Sequence, residues 1–271
     1  MRDHAVIIND TRLHYGTGRR LRAASLLAVC ALLLAVAEHP AAQDDPRALL
    51  VEIAHEAAKI TSIDAEIEQY ISSPGTGSEY FKGRYRSDSL GRMRIDYTVP
   101  GVQVVIHDGV NFYWYYPDDK LLYKIERRGA ERPAGGFDPL RDVAKDLDSK
   151  LSVEYLGTHL YGFFTPAHYF QLRNSENGVV MDVLVDKGKK AVLQKTVRDA
   201  RGVELMRESY EGYARVGETW FPSRVTVVAR SAGGITKNVT VYSALALNRG
   251  LAPGLFVLDL PRDVVAKTIH E

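Results

Sequence analysis

The segment from Gly91 to Pro117 constrains the fold more than any other part of this sequence. Apolar residues alternate with polar ones over three short runs, and turn residues separate the runs. Asp108-Gly109 is a two-residue hairpin signal, and Pro100-Gly101 marks a second turn. The pattern predicts three consecutive antiparallel strands, and the turns decide which side chains share a face of the sheet.

The predicted register places a broad apolar surface on one side of these strands. The Asp108-Gly109 turn would pair Val104 with Tyr113, and a four-residue loop from Thr98 to Gly101 would pair Ile95 with Val104. The face predicted in this way carries Met93, Ile95, Tyr97, Val102, Val104, Ile106, Tyr113 and Tyr115. The opposite face is predicted to be mixed, with Arg92, Arg94, Asp96, Gln103 and His107 beside Val105, Phe112 and Trp114. A slip of one residue would exchange the two faces.

Residues 1–42 are predicted to be an N-terminal extension and a secretory signal peptide. A cluster of arginines at positions 19–22 precedes the largely apolar run Ala23–Ala37, and small residues follow. The run is shorter than the roughly 20 apolar residues that a membrane-spanning helix needs. We therefore expect export, with cleavage after Ala37 or Ala42. The single cysteine, Cys30, would be removed with the signal.

Residues 43–271 are predicted to form a single domain. Asp45 and Pro46 are typical of a helix start, and apolar residues continue at helical spacing to about Ile60. Asp138-Pro139 would begin a second short helix, whose apolar side is formed by Leu140, Val143, Ala144 and Leu147. The remainder alternates as strands separated by turn residues. About eleven strands and two helices result.

Composition and motifs argue against several classes of function. The formal charge of +1 gives no basic surface for nucleic acid. Nucleophile elbows, phosphate-binding loops and dinucleotide fingerprints are absent from the sequence. His55-Glu56 begins like a zinc-protease motif, but Lys59 stands where the second histidine would be. We predict no catalytic centre, no metal site and no cofactor.

One combination of residues resembles a known family. Met93-Arg94-Ile95-Asp96-Tyr97-x-x-Pro100, followed by Ile106-x-Asp108-Gly109-x-x-Phe112-x-x-Tyr115-x-Pro117, is similar to the pattern of LolA, the periplasmic carrier of outer-membrane lipoproteins. The segment Leu255–Pro261 resembles the family's last strand, F-x-L-x-x-P. The resemblance implies an incomplete, half-open antiparallel β-barrel of about eleven strands, covered by short helices that form a lid. Acyl chains would lie on its concave apolar face.

The resemblance also implies a site and a set of partners. The lipid-binding cavity would be lined by Met93, Ile95, Tyr97, Val104, Ile106, Tyr113 and Tyr115, and the underside of the lid by Leu140, Val143 and Leu147. A periplasmic monomer would take acyl chains of lipoproteins or other lipids from an inner-membrane release complex to an outer-membrane acceptor. Ser89 stands where the family has an arginine that ties down the lid, and Glu68-Gln69-Tyr70 replaces the usual F-x-Q. These departures leave the cargo open.

Other functions stay open at this point. The same fold would also suit a lipid-responsive envelope sensor or assembly factor that binds a protein partner. An enzyme acting on lipids and a purely structural β domain are further alternatives.

Overall fold

The computed structural model describes residues 45–126, 140 and 151–270. In these ranges the chain is mainly β, with one α-helix, α1 (Pro46–Ala58), and a 3-10 turn (Pro253–Phe256). The strands are β1 (Ser62–Ser73), β2 (Gly77–Asp88), β3 (Met93–Val99), β4 (Gln103–His107), β5 (Phe112–Tyr116), β6 (Leu121–Glu126), β7 (Leu151–Tyr161), β8 (Thr165–Asn174), β9 (Val180–Asp186), β10 (Ala191–Arg198), β11 (Glu204–Val216), β12 (Thr219–Ser231), β13 (Gly234–Leu247) and β14 (Val265–His270).

All fourteen strands belong to one sheet, in the order β14-β6-β5-β4-β3-β2-β1-β13-β12-β11-β10-β9-β8-β7. Neighbouring strands are antiparallel, except that β14 runs parallel to β6. The sheet does not close on itself, since β7 and β14 form its two edges. The predicted half-open antiparallel architecture is confirmed, with more strands than the eleven or so expected.

Helix α1 begins where the sequence predicts. The Asp45 side chain accepts a hydrogen bond from the Arg47 backbone N–H at 3.0 Å, and Pro46 occupies the first turn. The buried residues of α1 are Leu50, Ile53 and Ala54, which share one side of the helix. This spacing explains why the helix packs one apolar stripe on the sheet.

Two apolar clusters form the core. The first, called here the helix cluster, joins the buried side of α1 to strands β8–β11 and consists of Leu50, Ile53, Ala54, Leu140, Phe170, Leu172, Val183, Val185, Val192 and Tyr210. The second, called the strand cluster, is built by β1–β4 and β12 and consists of Ile63, Ala65, Ile67, Tyr85, Ile95, Tyr97, Val105 and Phe221. Side chains of the sheet therefore supply all eight members of the strand cluster.

The register of β3–β5 differs from the prediction in a way that divides the predicted apolar face. Ile95 pairs with Val105 and Tyr97 with Gln103, because the β3–β4 connection has one residue more than expected. The β4–β5 connection is longer by two, so that Val104 pairs with Tyr115. A shift of two keeps a residue on its face, whereas a shift of one moves it to the other.

The longer β4–β5 connection has a visible cause. Asp108 caps the loop with its own side chain, whose Oδ1 accepts from the N–H groups of Val110 at 2.8 Å and Asn111 at 2.7 Å. The backbone hydrogen bond that closes the loop runs from the Asp108 N–H to the Asn111 carbonyl at 3.1 Å, whereas a two-residue Asp108-Gly109 turn would be closed by His107 and Val110. An Asx-type loop of this kind competes with the tight turn that an Asp-Gly pair predicts.

The C-terminal segment also differs from the prediction. Leu255–Leu258, expected to be a strand, begins inside the 3-10 turn Pro253–Phe256, where Pro253 and Gly254 favour a turn. Phe256 is buried, and the Arg92 guanidinium lies 4.7 Å from the centre of its ring. The Arg94 guanidinium donates to the Leu255 carbonyl at 3.1 Å. This segment thus lies on the face of β3 that carries Arg94.

Most of the second predicted helix, Asp138–Leu147, lies outside the described residues. Leu140 alone is described there, and it is fully buried in the helix cluster.

We expect Phe221→Ala to be strongly destabilising. Phe221 is 1% exposed and meets Tyr242 edge to face, with ring centres 5.3 Å apart. Loss of such a side chain removes about 3–5 kcal/mol from the free energy of unfolding, measured by denaturant titration. Phe163→Ala is the matched control: Phe163 is 87% exposed, and its removal should change that free energy by less than about 0.5 kcal/mol. Equal effects would contradict the assignment of the core.

Gly83→Ala should also destabilise the fold, for a different reason. A Cβ at Gly83 would lie 2.4 Å from the Asp96 carbonyl oxygen and 2.8 Å from the Tyr97 Cα, both of them backbone atoms. Overpacking of this kind costs about 1–3 kcal/mol, again read from denaturant unfolding. Gly101→Ala, where no atom lies within 4 Å of the added Cβ, should leave stability nearly unchanged. A neutral Gly83→Ala variant would show that β2 and β3 are farther apart.

Candidate functional site

The face of the sheet that carries the strand cluster is called here the inner face. On β3–β5 it includes Ile95 and Tyr97, their partners Val105 and Gln103, and Trp114 opposite Val105. Partly buried apolar side chains extend the strand cluster along this face: Ile60, Phe81, Met93, Phe112, Trp114, Tyr242, Leu245 and Leu247. The inner face is therefore a continuous apolar wall that spans β1–β5, β12 and β13.

Aromatic rings dominate this wall. Phe81 packs against Tyr97 with ring centres 5.4 Å apart, and Tyr85 meets Tyr242 at 6.1 Å. Aromatic side chains offer a large apolar area at low conformational cost, and their edges and faces can adapt to an alkyl chain. The wall thus has the chemistry of a surface that binds hydrocarbon.

Several polar side chains of the wall bind one another. The Tyr97 hydroxyl donates to the Gln69 side-chain oxygen, and Gln69 donates in turn to Thr240 Oγ1 at 3.1 Å. The Trp114 indole N–H donates to the Gln103 side-chain oxygen at 3.0 Å. Because these groups satisfy each other, they can stay out of water without a large free-energy cost.

The tyrosines of the wall are neutral, and burial extends the pH range over which they stay so. Loss of solvation raises the pKa of Tyr97 to about 12 and also raises the pKa of Tyr242. An unfolded tyrosine ionises near pH 10. Both phenols are therefore uncharged at neutral pH, and they add no charge to the apolar wall.

The opposite face of β1–β3, called here the outer face, is charged. Arg84 binds Asp64 at 2.7 Å, and Asp96 accepts from Arg86 at 2.7 Å and from Arg94 at 2.8 Å. These residues alternate with the inner wall along the same strands. A hydrocarbon ligand would therefore bind on the inner face and not on the outer one.

The predicted cavity residues fall on both faces. Met93, Ile95 and Tyr97 lie on the inner face, whereas Val104, Ile106, Tyr113 and Tyr115 lie on the outer face, so the prediction of one shared face is wrong. The single-residue change at the β3–β4 loop is the physical reason. Ile106 and Tyr115 are nevertheless buried, at 1% and 7% exposed, on the side where Arg94 binds the C-terminal segment.

Sequence reasoning missed several residues of the wall. Val105, Phe112 and Trp114 were placed on the mixed face, and Phe81, Tyr85 and Tyr242 received no role. The sequence did contain a signal for these residues: Val105, Phe112 and Trp114 are apolar, and a face fully exposed to solvent would be expected to be polar.

His107, predicted to lie on the mixed face opposite Met93, stands beside Met93 on the inner face. This residue of the inner face is 2% exposed, and its Nδ1 donates to the Gly91 carbonyl at 2.8 Å. Its Nε2 is buried without a hydrogen-bond partner among the described residues. His107 thus contributes an unsatisfied acceptor beside Met93 and Phe112.

The predicted lid is only partly described. Leu140 packs in the helix cluster, while Val143 and Leu147 lie outside the described residues. Their place at the underside of a lid stays a prediction.

A small cleft lies between α1 and the strands β10–β12. Its apolar wall includes Ile53, Ile60 and Val192, and Lys189 and Trp220 stand at its side. Its volume of about 50 Å³ is enough for a water molecule or two. An acyl chain would need more room than this cleft provides.

Neither a metal-ligand cluster nor a membrane-spanning helix is found in the part of the chain that the structure describes. In residues 45–126, 140 and 151–270, no group of three or more His, Cys, Asp or Glu side chains is arranged to hold a metal ion. Within the same ranges, no helix combines the length and hydrophobicity needed to cross a bilayer.

Comparison with known proteins identifies the architecture. No protein-family profile matches the sequence, and no curated protein sequence is similar to it. Solved structures do match. A protein of the DUF1329 family from Desulfovibrio piger superimposes with a TM-score of 0.57 at 14% identity, covering 78% of this chain and 95% of that chain.

Two other structures resemble this chain to a similar degree. A domain assigned to outer-membrane lipoprotein sorting from Vibrio parahaemolyticus has a TM-score of 0.55 at 17% identity, covering 76% of this chain and 95% of that one. A LolA superfamily protein from Nitrosomonas europaea has a TM-score of 0.53 at 15% identity, with coverage of 77% and 97%. At these identities the likeness concerns the fold alone. The half-open sheet with its single described helix is a LolA-like fold.

Proposed function

We propose that this protein is a non-catalytic periplasmic carrier that holds the acyl chains of lipoproteins or other lipids on its inner face. The observation that carries the proposal is the apolar, aromatic inner wall, in which the side chains of Met93, Phe112 and Trp114 are partly exposed to solvent. The buried side chains of α1 belong to the helix cluster, so they do not pack on the strand cluster.

The energetics of the wall suit reversible loading. Each methylene of an acyl chain removed from water contributes about 0.8 kcal/mol, so a chain that is only partly covered binds with moderate affinity. A carrier has to release its cargo, and a wall that binds without enclosing the chain completely favours release. Handover would follow when a tighter acceptor competes for the same chain.

Loading of a complete chain would need the wall to become more accessible. Ile95, Tyr97 and Val105 are each less than a tenth exposed, and the cleft beside α1 is too small for an acyl chain. We infer that α1 moves away from the sheet when cargo enters, because Ile60, just after its C-terminus, packs against the strand cluster. Only three side chains of α1 are buried in the helix cluster, so the free-energy cost of such a movement is small.

The wider setting follows from two arguments. Residues 1–42 are typical of an exported protein, and this supports a periplasmic setting for the carrier. The LolA-like fold is shared with a domain assigned to lipoprotein sorting, and this supports lipoprotein acyl chains as the cargo. Departures from the family pattern, such as Ser89, leave lipoproteins and free lipids as alternative cargoes.

Neighbouring residues on β5 give a matched test of the wall. Trp114 faces inward opposite Val105, whereas Tyr113 faces outward opposite Ile106, and both are half-buried. Titration with the fluorescent fatty acid cis-parinaric acid should show about tenfold weaker binding for Trp114→Ala, since loss of a well-packed aromatic contact costs more than about 1.4 kcal/mol. Tyr113→Ala should change the Kd by less than about twofold. Equal losses in both variants would contradict binding on the inner face.

A second test identifies the cargo. Protein purified from the periplasm of a Gram-negative host should contain lipid, detected by extraction and mass spectrometry. Met93→Glu, which places a charge on the inner wall, should lose most of that lipid. Val102→Glu is the control, because Val102 is 50% exposed and lies in the β3–β4 loop. A well-folded protein that never contains lipid, and that instead forms a stable complex with a membrane-protein ectodomain, would favour the sensor hypothesis.

A further inference from the structure

The tip of the β7–β8 hairpin carries the most exposed aromatic residues described in this chain. Phe163 and Phe164 are 87% and 88% exposed, and their ring centres are 6.2 Å apart. Leu160, one residue before the end of β7, is 69% exposed and stands opposite Pro166. Gly162 reaches the tight turn with a φ of +60°. The tip is therefore a small apolar projection that does not belong to either core cluster.

Such a tip needs an explanation. Scattered single apolar residues are ordinary on a protein surface, but hairpin turns usually expose Gly, Asn, Asp, Pro or Ser. Two adjacent phenylalanines at a turn add nothing to the fold, because nearly all of their surface is in solvent. Apolar side chains grouped at a projecting point are typical of a surface that contacts a membrane or another protein.

A cation stands behind this tip. The Lys187 backbone N–H donates to the Pro166 carbonyl at 3.1 Å, and its ammonium donates to Thr158 Oγ1 at 3.3 Å. Thr158 pairs with His168, which lies four residues from Phe164, a distance of roughly 13 Å along a strand. No carboxylate of the described residues lies within the 4 Å ion-pair distance of the Lys187 ammonium. Asp186, next to Lys187, is engaged by Lys189 at 2.7 Å.

We propose that the β7–β8 tip docks on the surface of a lipid bilayer that contains anionic lipids. Phe163 and Phe164 enter the boundary between headgroups and acyl chains, a region that interfacial side chains penetrate by about 5–10 Å. The Lys187 ammonium, roughly 13 Å behind Phe164 along the strand, then lies at the outer side of the headgroups, close enough to be attracted by the anionic surface. A bilayer fits better than a second copy of this chain, because Phe163, Phe164 and Leu160 offer far less surface than the roughly 1,200–2,000 Å² that a stable protein–protein interface buries. This contact is separate from the acyl-binding wall and goes beyond the proposed carriage of lipid.

The test compares variants in their binding to vesicles. Protein produced from the full sequence is mixed with vesicles of phosphatidylethanolamine and phosphatidylglycerol, or of phosphatidylcholine alone, and bound protein is measured by flotation. Mass spectrometry confirms that all variants share one N-terminus. Phe163→Ser combined with Phe164→Ser should lower the partition coefficient at least about tenfold on both vesicles. Lys187→Gln should weaken binding to the anionic vesicles by about fivefold and leave phosphatidylcholine binding unchanged.

Leu90→Ser is the matched control, because Leu90 is 68% exposed in a different turn, and it should bind vesicles like the unaltered protein. Vesicle binding that survives in the double serine variant overturns the proposal, as does failure of the unaltered protein to bind either vesicle. Concentration-dependent self-association that is lost in the double variant, without vesicle binding, would assign the tip to a second copy and also overturns it.

The outcome can be separated from the test of the carrier function. The double serine variant should bind cis-parinaric acid like the unaltered protein, and Trp114→Ala should still bind vesicles. A protein without fatty-acid binding but with a membrane-binding tip would refute the carrier proposal and leave this one intact.

Discussion

The register between β3 and β4 is the constraint on which the rest of the structure depends. It decides that Ile95 stands beside Val105 on the inner face and that Arg94 stands beside Ile106 on the outer face. If the pairing moved by one residue, charged side chains of β3 would be opposed to the apolar residues of β4 that now complete the inner wall. Burial of unpaired charge would then replace burial of hydrocarbon. The length of the β3–β4 loop therefore decides whether the wall is apolar or contains buried, unpaired charge.

The sequence was sufficient to predict most of the architecture. The helix after Asp45, the strand-rich chain and the half-open sheet follow from periodicity, turn residues and the likeness of the Met93–Pro117 segment to a known family. These features come from many residues acting together, so an error at one position does not remove them. A fold assembled from repeated hairpins is robust in this sense.

The site was harder to predict because it depends on one or two residues. Loop length at Val99–Val102 and the side-chain cap of Asp108 decide which face is apolar, and neither is visible in hydrophobic alternation. Tyr85 and Tyr242 meet across strands that are far apart in sequence, since β1 brings β2 and β13 together. Local patterns cannot report such a contact. Met93, Ile95 and Tyr97 do lie on the inner wall, whereas the four residues expected beside them, Val104, Ile106, Tyr113 and Tyr115, lie on the other face.

The two core clusters are built in different ways. In the helix cluster, α1 covers strands β8–β11 and completes an ordinary two-layer core. In the strand cluster, aromatic side chains of the sheet cover one another, and Tyr97 and Trp114 hydrogen-bond to Gln69 and Gln103. A surface of this second kind can exchange its aromatic contacts for those of a ligand while these hydrogen bonds are kept. Stability and binding can therefore be altered at separate places.

The pairing of β1 with β13 has a consequence for how the protein is made. It joins residues 63–72 to residues 237–247, and among the described strands this seam connects β2–β6 to the other half of the sheet. Each half contains hairpins that can form early, but the two halves stay separate until the last quarter of the chain is present. Pairings between such distant segments form slowly. Before that moment the inner wall lacks Phe221 and Tyr242, so the nascent chain exposes the aromatic surface that the finished protein covers.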